Sequence, residues 1–224
     1  MRARPGPLLG GLVVAAWAAL LIGTAVVEIR APDHERGADE LEPTAAAEGL
    51  IEAWERSRRA SFVASGTYER RSDVTGAAIA SEDVVAQRPP RRIHRQLGGV
   101  DGRDDDRLLV CPAPPPDEEP APCQLGAPGG PTYDESVERE LEGLRSMLLG
   151  PDPLYAVTVG EPGCYRLELR RPDPRAPFGI DASLCFDVAT GAPAGTRVRH
   201  EGGVEEVVVV TDIRTDVTDA DLEP

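Results

Sequence analysis

Four cysteines, three histidines and a run of three aspartates are the residues of this chain whose chemistry can be weighed before its shape is known. The cysteines are Cys111, Cys123, Cys164 and Cys185. None belongs to a Cys-x-x-Cys pair, the spacing of structural zinc sites and thioredoxin-type redox centres. Four cysteines admit three pairings; the sequence-local one, Cys111 with Cys123 and Cys164 with Cys185, is preferred. The first bridge would close the segment PAPPPDEEPAP, which has nothing to bury, and a clip at its base limits its entropy. His34, His94 and His200 have no second ligand or base at motif spacing and are expected on the solvated surface. Asp104, Asp105 and Asp106 lack the glycine and terminal glutamate of a calcium loop and are expected in a solvated turn between two strands. There is no Gly-x-Ser-x-Gly elbow, phosphate-binding loop, His-Glu-x-x-His or dinucleotide fingerprint. No catalytic residue, metal ligand or cofactor is therefore assigned, and a non-enzymatic protein is expected.

The elements that must position these residues are most legible from Cys164 to Ile213. Tyr165, Leu167 and Leu169 alternate with Cys164, Arg166, Glu168 and Arg170; Leu184, Phe186 and Val188 alternate with Cys185 and Asp187. Strict alternation predicts half-buried strands. Both cysteines fall opposite the apolar set, so antiparallel pairing of 164 with 185 puts a bridge on the outer face. That register sets Tyr165 against Leu184 and Leu167 against Ala182, all toward the core. A turn at Ala189–Pro193, a strand over Thr196–Glu201, the Gly202-Gly203 hairpin signal and a strand over Val204–Ile213 complete the block.

Upstream, Thr44 is read as the N-cap of a helix carrying Ala47, Leu50, Ile51 and Trp54 on one face and Arg56, Arg58 and Arg59 at its end. Strands follow over Ser61–Arg71, Ala78–Gln87, Arg92–Leu97 and Asp106–Cys111, with Gly98-Gly99 and Asp101-Gly102 read as marking a turn. A second helix spans Asp134–Leu149 with the stripe Val137, Leu141, Leu144 and Leu148, then Leu154–Val159 extends. The tail from Arg214 reads as peripheral. This order predicts an α+β domain: a curved antiparallel sheet, a half-open barrel, with helices on its concave face.

The 224 residues carry a formal net charge of −15, with no lysine and no asparagine. Such a field repels nucleic acid, which is excluded as a partner. Arg2 and Arg4 precede an uncharged, largely apolar run over residues 5–27, long enough to span a bilayer and longer than a usual signal-peptide core. Residues 1–28 are expected to form an uncleaved signal anchor, a single transmembrane helix with its N-terminus cytoplasmic. Residues 29–43 form a polar tether, and 44–224 an extracytoplasmic domain, in the compartment where disulfides persist.

Several short motifs carry a resemblance: the helix with Trp54, Phe62-x-x-x-Gly66-x-Tyr68, Gln87-Arg88-Pro89-Pro90-Arg91, Cys185-Phe186-Asp187-x-x-Thr190-Gly191-Ala192-Pro193, and Val217-Thr218-Asp219-Ala220-Asp221-Leu222. Over roughly residues 44–222 the chain resembles the lipoprotein-carrier superfamily of LolA, LppX and RseB type, here as a membrane-anchored variant of actinobacterial type. The resemblance implies a half-open antiparallel barrel whose mouth is plugged by helices, and no catalytic residues. Carriers of this superfamily are commonly periplasmic or anchored through a lipidated cysteine; here residues 5–27 would replace that anchor.

Two functions follow. In the first, an apolar groove lined by Trp54, Phe62, Tyr68, Tyr165 and Phe186 binds a lipid, an acyl chain or a lipidated protein. In the second, the domain is an envelope sensor or regulatory interaction module of RseB type that binds another envelope protein. A dry, well-packed inner face favours the second.

Overall fold

The computed structural model describes residues 43–114 and 122–224; the expected anchor, most of the tether and part of the Pro-rich loop lie outside them. Helix α1 (Pro43–Arg59) leads into β1 (Phe62–Ser72), β2 (Ala78–Arg88), β3 (Arg91–Gln96), β4 (Gly99–Asp104), β5 (Arg107–Cys111) and the short β6 (Gln124–Leu125). Helix α2 (Tyr133–Leu149) follows, then β7 (Tyr155–Val159), β8 (Cys164–Leu169), β9 (Asp181–Phe186), β10 (Pro193–His200), β11 (Val204–Arg214) and a 3-10 turn at Ala220–Leu222. The strands make one curved, open, wholly antiparallel sheet in the order β6-β5-β4-β3-β2-β1-β11-β10-β9-β8-β7. Two hairpin meanders are thus joined by one long-range ladder, β1 with β11.

That central ladder is irregular. Its register shifts between Ser65 and Gly66, and a Cβ on Gly66 would stand 2.1 Å from the Val209 carbonyl oxygen, so only glycine admits β11 this closely. One face of β7–β10 then meets both helices. Leu50, Ala53, Val137, Leu141, Leu144, Tyr155, Leu167, Ala182, Leu184 and Val198 form one buried core. The alternation read in the sequence supplies the strand half of it, and the two helical stripes supply the rest.

The Cys164–Cys185 register is as expected. Cys164 pairs with Cys185, Tyr165 with Leu184 and Leu167 with Ala182, with 4.0 Å between the cysteine Cα atoms. The second bridge joins Cys111 and Cys123.

Four expectations need correction. Thr44 is not a cap, because α1 already includes Pro43; the capping box lies at α2 instead, where Thr132 Oγ1 accepts from the Glu135 N–H and Glu135 accepts from the Thr132 N–H. Asp101-Gly102 is not a turn but the middle of β4. A Cβ on Gly102 would lie 2.5 Å from the Arg92 carbonyl oxygen, so this glycine serves close strand approach; the turn is Leu97-Gly98, both at positive φ. Val188 is exposed, because β9 stops at Phe186 and Asp187 starts a turn. In that turn the Asp187 carboxylate accepts from the Thr190 N–H and hydroxyl, both at 2.7 Å. Finally, the tail is not merely peripheral. Leu222 is 1% exposed, packed with Val63, Ala86 and Ile93 on the sheet face opposite the helices. Arginines of that face hold the tail backbone: Arg88 donates to the Val217 carbonyl, Arg91 to that of Leu222 and Arg95 to that of Asp221.

Candidate functional site

The helix-covered face of the sheet is the surface on which a ligand groove would have to lie. Its aromatic centre is built by α1 and β9. Trp54 sits one turn beyond Leu50 on the apolar stripe of α1, and Phe186 is the last inward residue of β9. Their rings meet edge to face at 6.3 Å; Trp54 meets Phe178 at 6.1 Å, and Tyr165 meets Phe186 at 6.4 Å. Three of the five residues expected to line a groove, Trp54, Tyr165 and Phe186, therefore lie together. Phe62 and Tyr68 do not join them. Phe62 packs with Ala64, Val85 and Ala192, and Tyr68 with Val208, both nearer the middle of the sheet.

Phe178 went unread in the sequence. It lies in the loop between β8 and β9, whose prolines mark it only as a connection. Tyr155 places it: the phenol accepts from the Phe178 N–H at 3.0 Å and donates to the Gly179 carbonyl at 3.2 Å. Burial pushes that phenol up to about 12, although the bond from Phe178 opposes the shift. The space left beside Trp54, Phe178, Leu184 and Phe186 amounts to about 60 Å³.

Helix α1 is fastened to α2 by polar groups at its outer side. Trp54 Nε1 donates to Glu140 at 3.1 Å, Arg58 Nε donates to the same carboxylate at 2.6 Å, and the Arg58 guanidinium lies 4.8 Å from the Trp54 ring centre. The end of α1 is held from the sheet. Gln87 is fully buried, and its amide nitrogen lies 2.7, 3.0 and 2.8 Å from the carbonyl oxygens of Ser57, Arg58 and Ala60. One glutamine from β2 thus donates to carbonyls that a helix C-terminus leaves over, and the Tyr133 hydroxyl shares the one of Arg58.

Toward β2–β4 the same face turns polar: Asp83 and Gln87 on β2, Arg92, His94 and Gln96 on β3, Asp101 and Arg103 on β4. The surface assignment of His94 is overturned here. It is 7% exposed, with Nε2 at 2.7 Å from Asp83 Oδ1 and Nδ1 at 3.6 Å from Asp101 Oδ1. The alternation on β3 placed it inward with Arg92; its carboxylate partners come from neighbouring strands, which spacing along the chain does not reveal. His200 is partly buried, 3.5 Å from Glu206, and His34 lies outside the described residues. Asp105 and Asp106 do form a turn, accepting from the Tyr133 and Gly129 N–H groups. Among the described residues no group of three or more histidine, cysteine, aspartate or glutamate side chains is gathered as metal ligands would be. No helix among them is long and apolar enough to cross a membrane.

No protein-family model matches the chain, and no curated protein matches it. Solved structures do. It is similar to MucB, at 18% identity and a TM-score of 0.48, over 81% of this chain and 63% of that one. It is similar to a chain of the MucA/MucB complex of Pseudomonas aeruginosa, at 16% identity and 0.45, over 80% and 61%. It is also similar to a LolA superfamily protein from Nitrosomonas europaea, at 11% identity and 0.33, over 80% and 97%. The chain spans less than two thirds of the MucB chains it matches. Its structural neighbours thus include MucB and a LolA superfamily protein.

Proposed function

We propose that this chain is a non-enzymatic, extracytoplasmic interaction module, held at the membrane through residues 5–27, that docks another envelope protein. What carries this reading is how completely the apolar half of the inner face is filled. Ligand clefts measure roughly 300–1,000 Å³, whereas the gap among the aromatic rings is about 60 Å³. An acyl chain would have to displace α1, whose side chains Leu50 and Ala53 are at 0 and 1% exposure. The two disulfides fit an oxidising compartment, and the apolar run behind Arg2 and Arg4 fits an anchor.

One observation favours the lipid reading as the second. Trp54, Tyr165, Phe178 and Phe186 form an apolar cluster directly beneath α1, and the helix is fastened at its outer side by ionic contacts that water can compete for, such as Arg59 with Glu138. A lid of that kind could swing from an acyl-chain site.

Native mass spectrometry of the full chain, purified from its membrane in a mild detergent, decides between the two. The interaction module runs at its bare mass, and solvent extraction releases no lipid beyond that of the detergent blank. Lipid bound in a fixed one-to-one ratio, lost when Trp54 and Phe186 are replaced by polar residues, overturns the module and establishes the carrier.

A further inference from the structure

The outer face of the sheet carries a groove that the chain fills with its own tail. Its floor is Val63 on β1, Ala86 on β2 and Ile93 on β3; Leu222 closes it, with Val217 packed beside. Arg88 at the end of β2, and Arg91 and Arg95 on β3, stand along it. We infer that this groove docks an acidic segment of a partner protein carrying an aliphatic side chain, and that the tail is a detachable occupant which such a segment replaces. For its partner this rests on the docking reading above; it adds the surface and the chemistry.

The way the tail is held points to exchange. The three arginines grip main chain: Arg88 donates to the Val217 carbonyl at 3.2 Å, Arg91 to that of Leu222 at 3.3 Å and Arg95 to that of Asp221 at 3.1 Å. Every residue offers a carbonyl, so these contacts are open to any segment that follows the same course. Side chains add the selectivity. Leu222 fills the apolar floor, Asp219 pairs with Arg88, and Asp221 pairs with Arg214. Acidic segments gripped by arginine clusters are a recurrent mode of peptide recognition.

The tail is also the element that costs least to release. It joins no strand ladder, and beyond Arg214 its regular structure is the single 3-10 turn, so no sheet hydrogen bond breaks when it leaves. Of residues 215–224 only Leu222 is buried, and Asp216 and Asp219 are exposed, where water competes for their ion pairs. With the tail go Asp216, Asp219, Asp221 and Glu223. Arg88, Arg91, Arg95 and Arg214 stay behind. Among the described residues only Arg91 of these four has a carboxylate from outside the tail at ion-pair distance, Asp104 at 3.8 Å. The arginines need not stand vacant at any time, because incoming carboxylates and carbonyls take the places of those that leave. Although the whole chain carries −15, this face then selects an acidic segment over a basic one.

The probe is a synthetic peptide of the sequence Val217–Pro224, titrated into the full chain in detergent with leucine and isoleucine methyl groups labelled for NMR. The conservative change Leu222→Met identifies the Leu222 signal by its loss, and Ile93 reports from the floor. In the wild type the peptide should move the Leu222 signal from its docked to its free position, and saturate. In Leu222→Ala the chain's own tail has lost its anchor, and half-saturation at Ile93 should fall about tenfold or more in peptide concentration. Adding Arg95→Gln to that variant should raise it again about fivefold. A Leu222 signal that the peptide leaves in place, or equal half-saturation in wild type and Leu222→Ala, overturns the exchange. Release of Leu222 that follows the concentration of the chain itself, without peptide, assigns the groove to the tail of a second copy and overturns the partner. The lipid measurement fails separately: bound lipid together with peptide exchange overturns the module and leaves the groove, whereas a Leu222 that stays docked in a lipid-free chain overturns the groove alone.

Discussion

Replacing Gln87 tests whether a single sheet residue holds the end of α1. Its amide nitrogen has two hydrogens and faces three carbonyl oxygens at 2.7–3.0 Å, while its Oε1 has no hydrogen-bond partner among the described residues. Gln87→Leu removes both donors at nearly constant volume. Stranding two buried carbonyls costs about 1–3 kcal/mol each, and loss of the desolvated Oε1 returns about 1 kcal/mol, for a net loss of about 1–5 kcal/mol. Gln87→Glu discriminates further, because it keeps the shape and aims a carboxylate at the carbonyls. Repulsion and burial raise the folded pKa of the new carboxyl above its unfolded value of about 4.3. The destabilisation is therefore smallest below about pH 4. It grows by about 1.4 kcal/mol per pH unit as pH rises, until the folded pKa is passed. Each unit by which the folded pKa is raised adds about 1.4 kcal/mol at neutral pH, against the roughly 5–15 kcal/mol typical of a domain. Urea unfolding followed by far-UV circular dichroism at pH 4.5 and pH 7, each against wild type, measures both effects. A Gln87→Glu protein within about 0.5 kcal/mol of wild type at pH 7, or a deficit that does not narrow at pH 4.5, refutes the role.

Three further outcomes are expected. Cys164→Ser, which opens the bridge of 21-residue separation inside the β8–β9 hairpin, should cost about 3 kcal/mol in denaturant midpoint, and Cys111→Ser, with a separation of 12, somewhat less; equal behaviour of wild type with and without reductant would contradict both. Leu222→Ala should cost about 2–4 kcal/mol by chemical unfolding, since the side chain is buried on the outer face of the sheet; a neutral result would mean that the tail does not dock. The hydrogen bonds from the Thr190 hydroxyl and backbone hold the Asp187 carboxyl below the usual range, so its contribution is present above about pH 4 and is lost as pH falls through the folded value. A carboxyl-carbon NMR titration should show that value rising in Thr190→Ala, and an unchanged titration would dismiss the turn as its cause.

The cysteine register shows why one half of this molecule could be read in advance. Strands β8 and β9 face helices on one side only, so alternation fixes which residues point inward, and a shift by one residue would have buried Cys164 and exposed Leu167. The α2 stripe was legible for the same reason at a period of 3.6. Strand β4 was missed because Asp101-Gly102 is a turn signal in sequence; the glycine is there to let β3 approach, and that requirement belongs to two strands rather than one. Val188 continued an alternation that the Asp187–Thr190 turn had already ended. Phe178 gave no periodic signal at all, and only the reach of Tyr155 from β7 brings it under α1.

By itself, then, the sequence determined the local matters: periodicity, turn chemistry, the preference for sequence-local disulfides, and the net charge of −15. These depend on residues near one another along the chain, or on sums over all of it. The filling of the apolar half of the inner face, the capping of α1 by Gln87 and the buried His94–Asp83 pair were decided only by tertiary structure. Each joins residues from at least two elements, and the β1–β11 ladder pairs residues near position 65 with residues near 210. No pattern confined to one segment encodes such meetings, because the partner that gives each residue its role lies on another strand or helix.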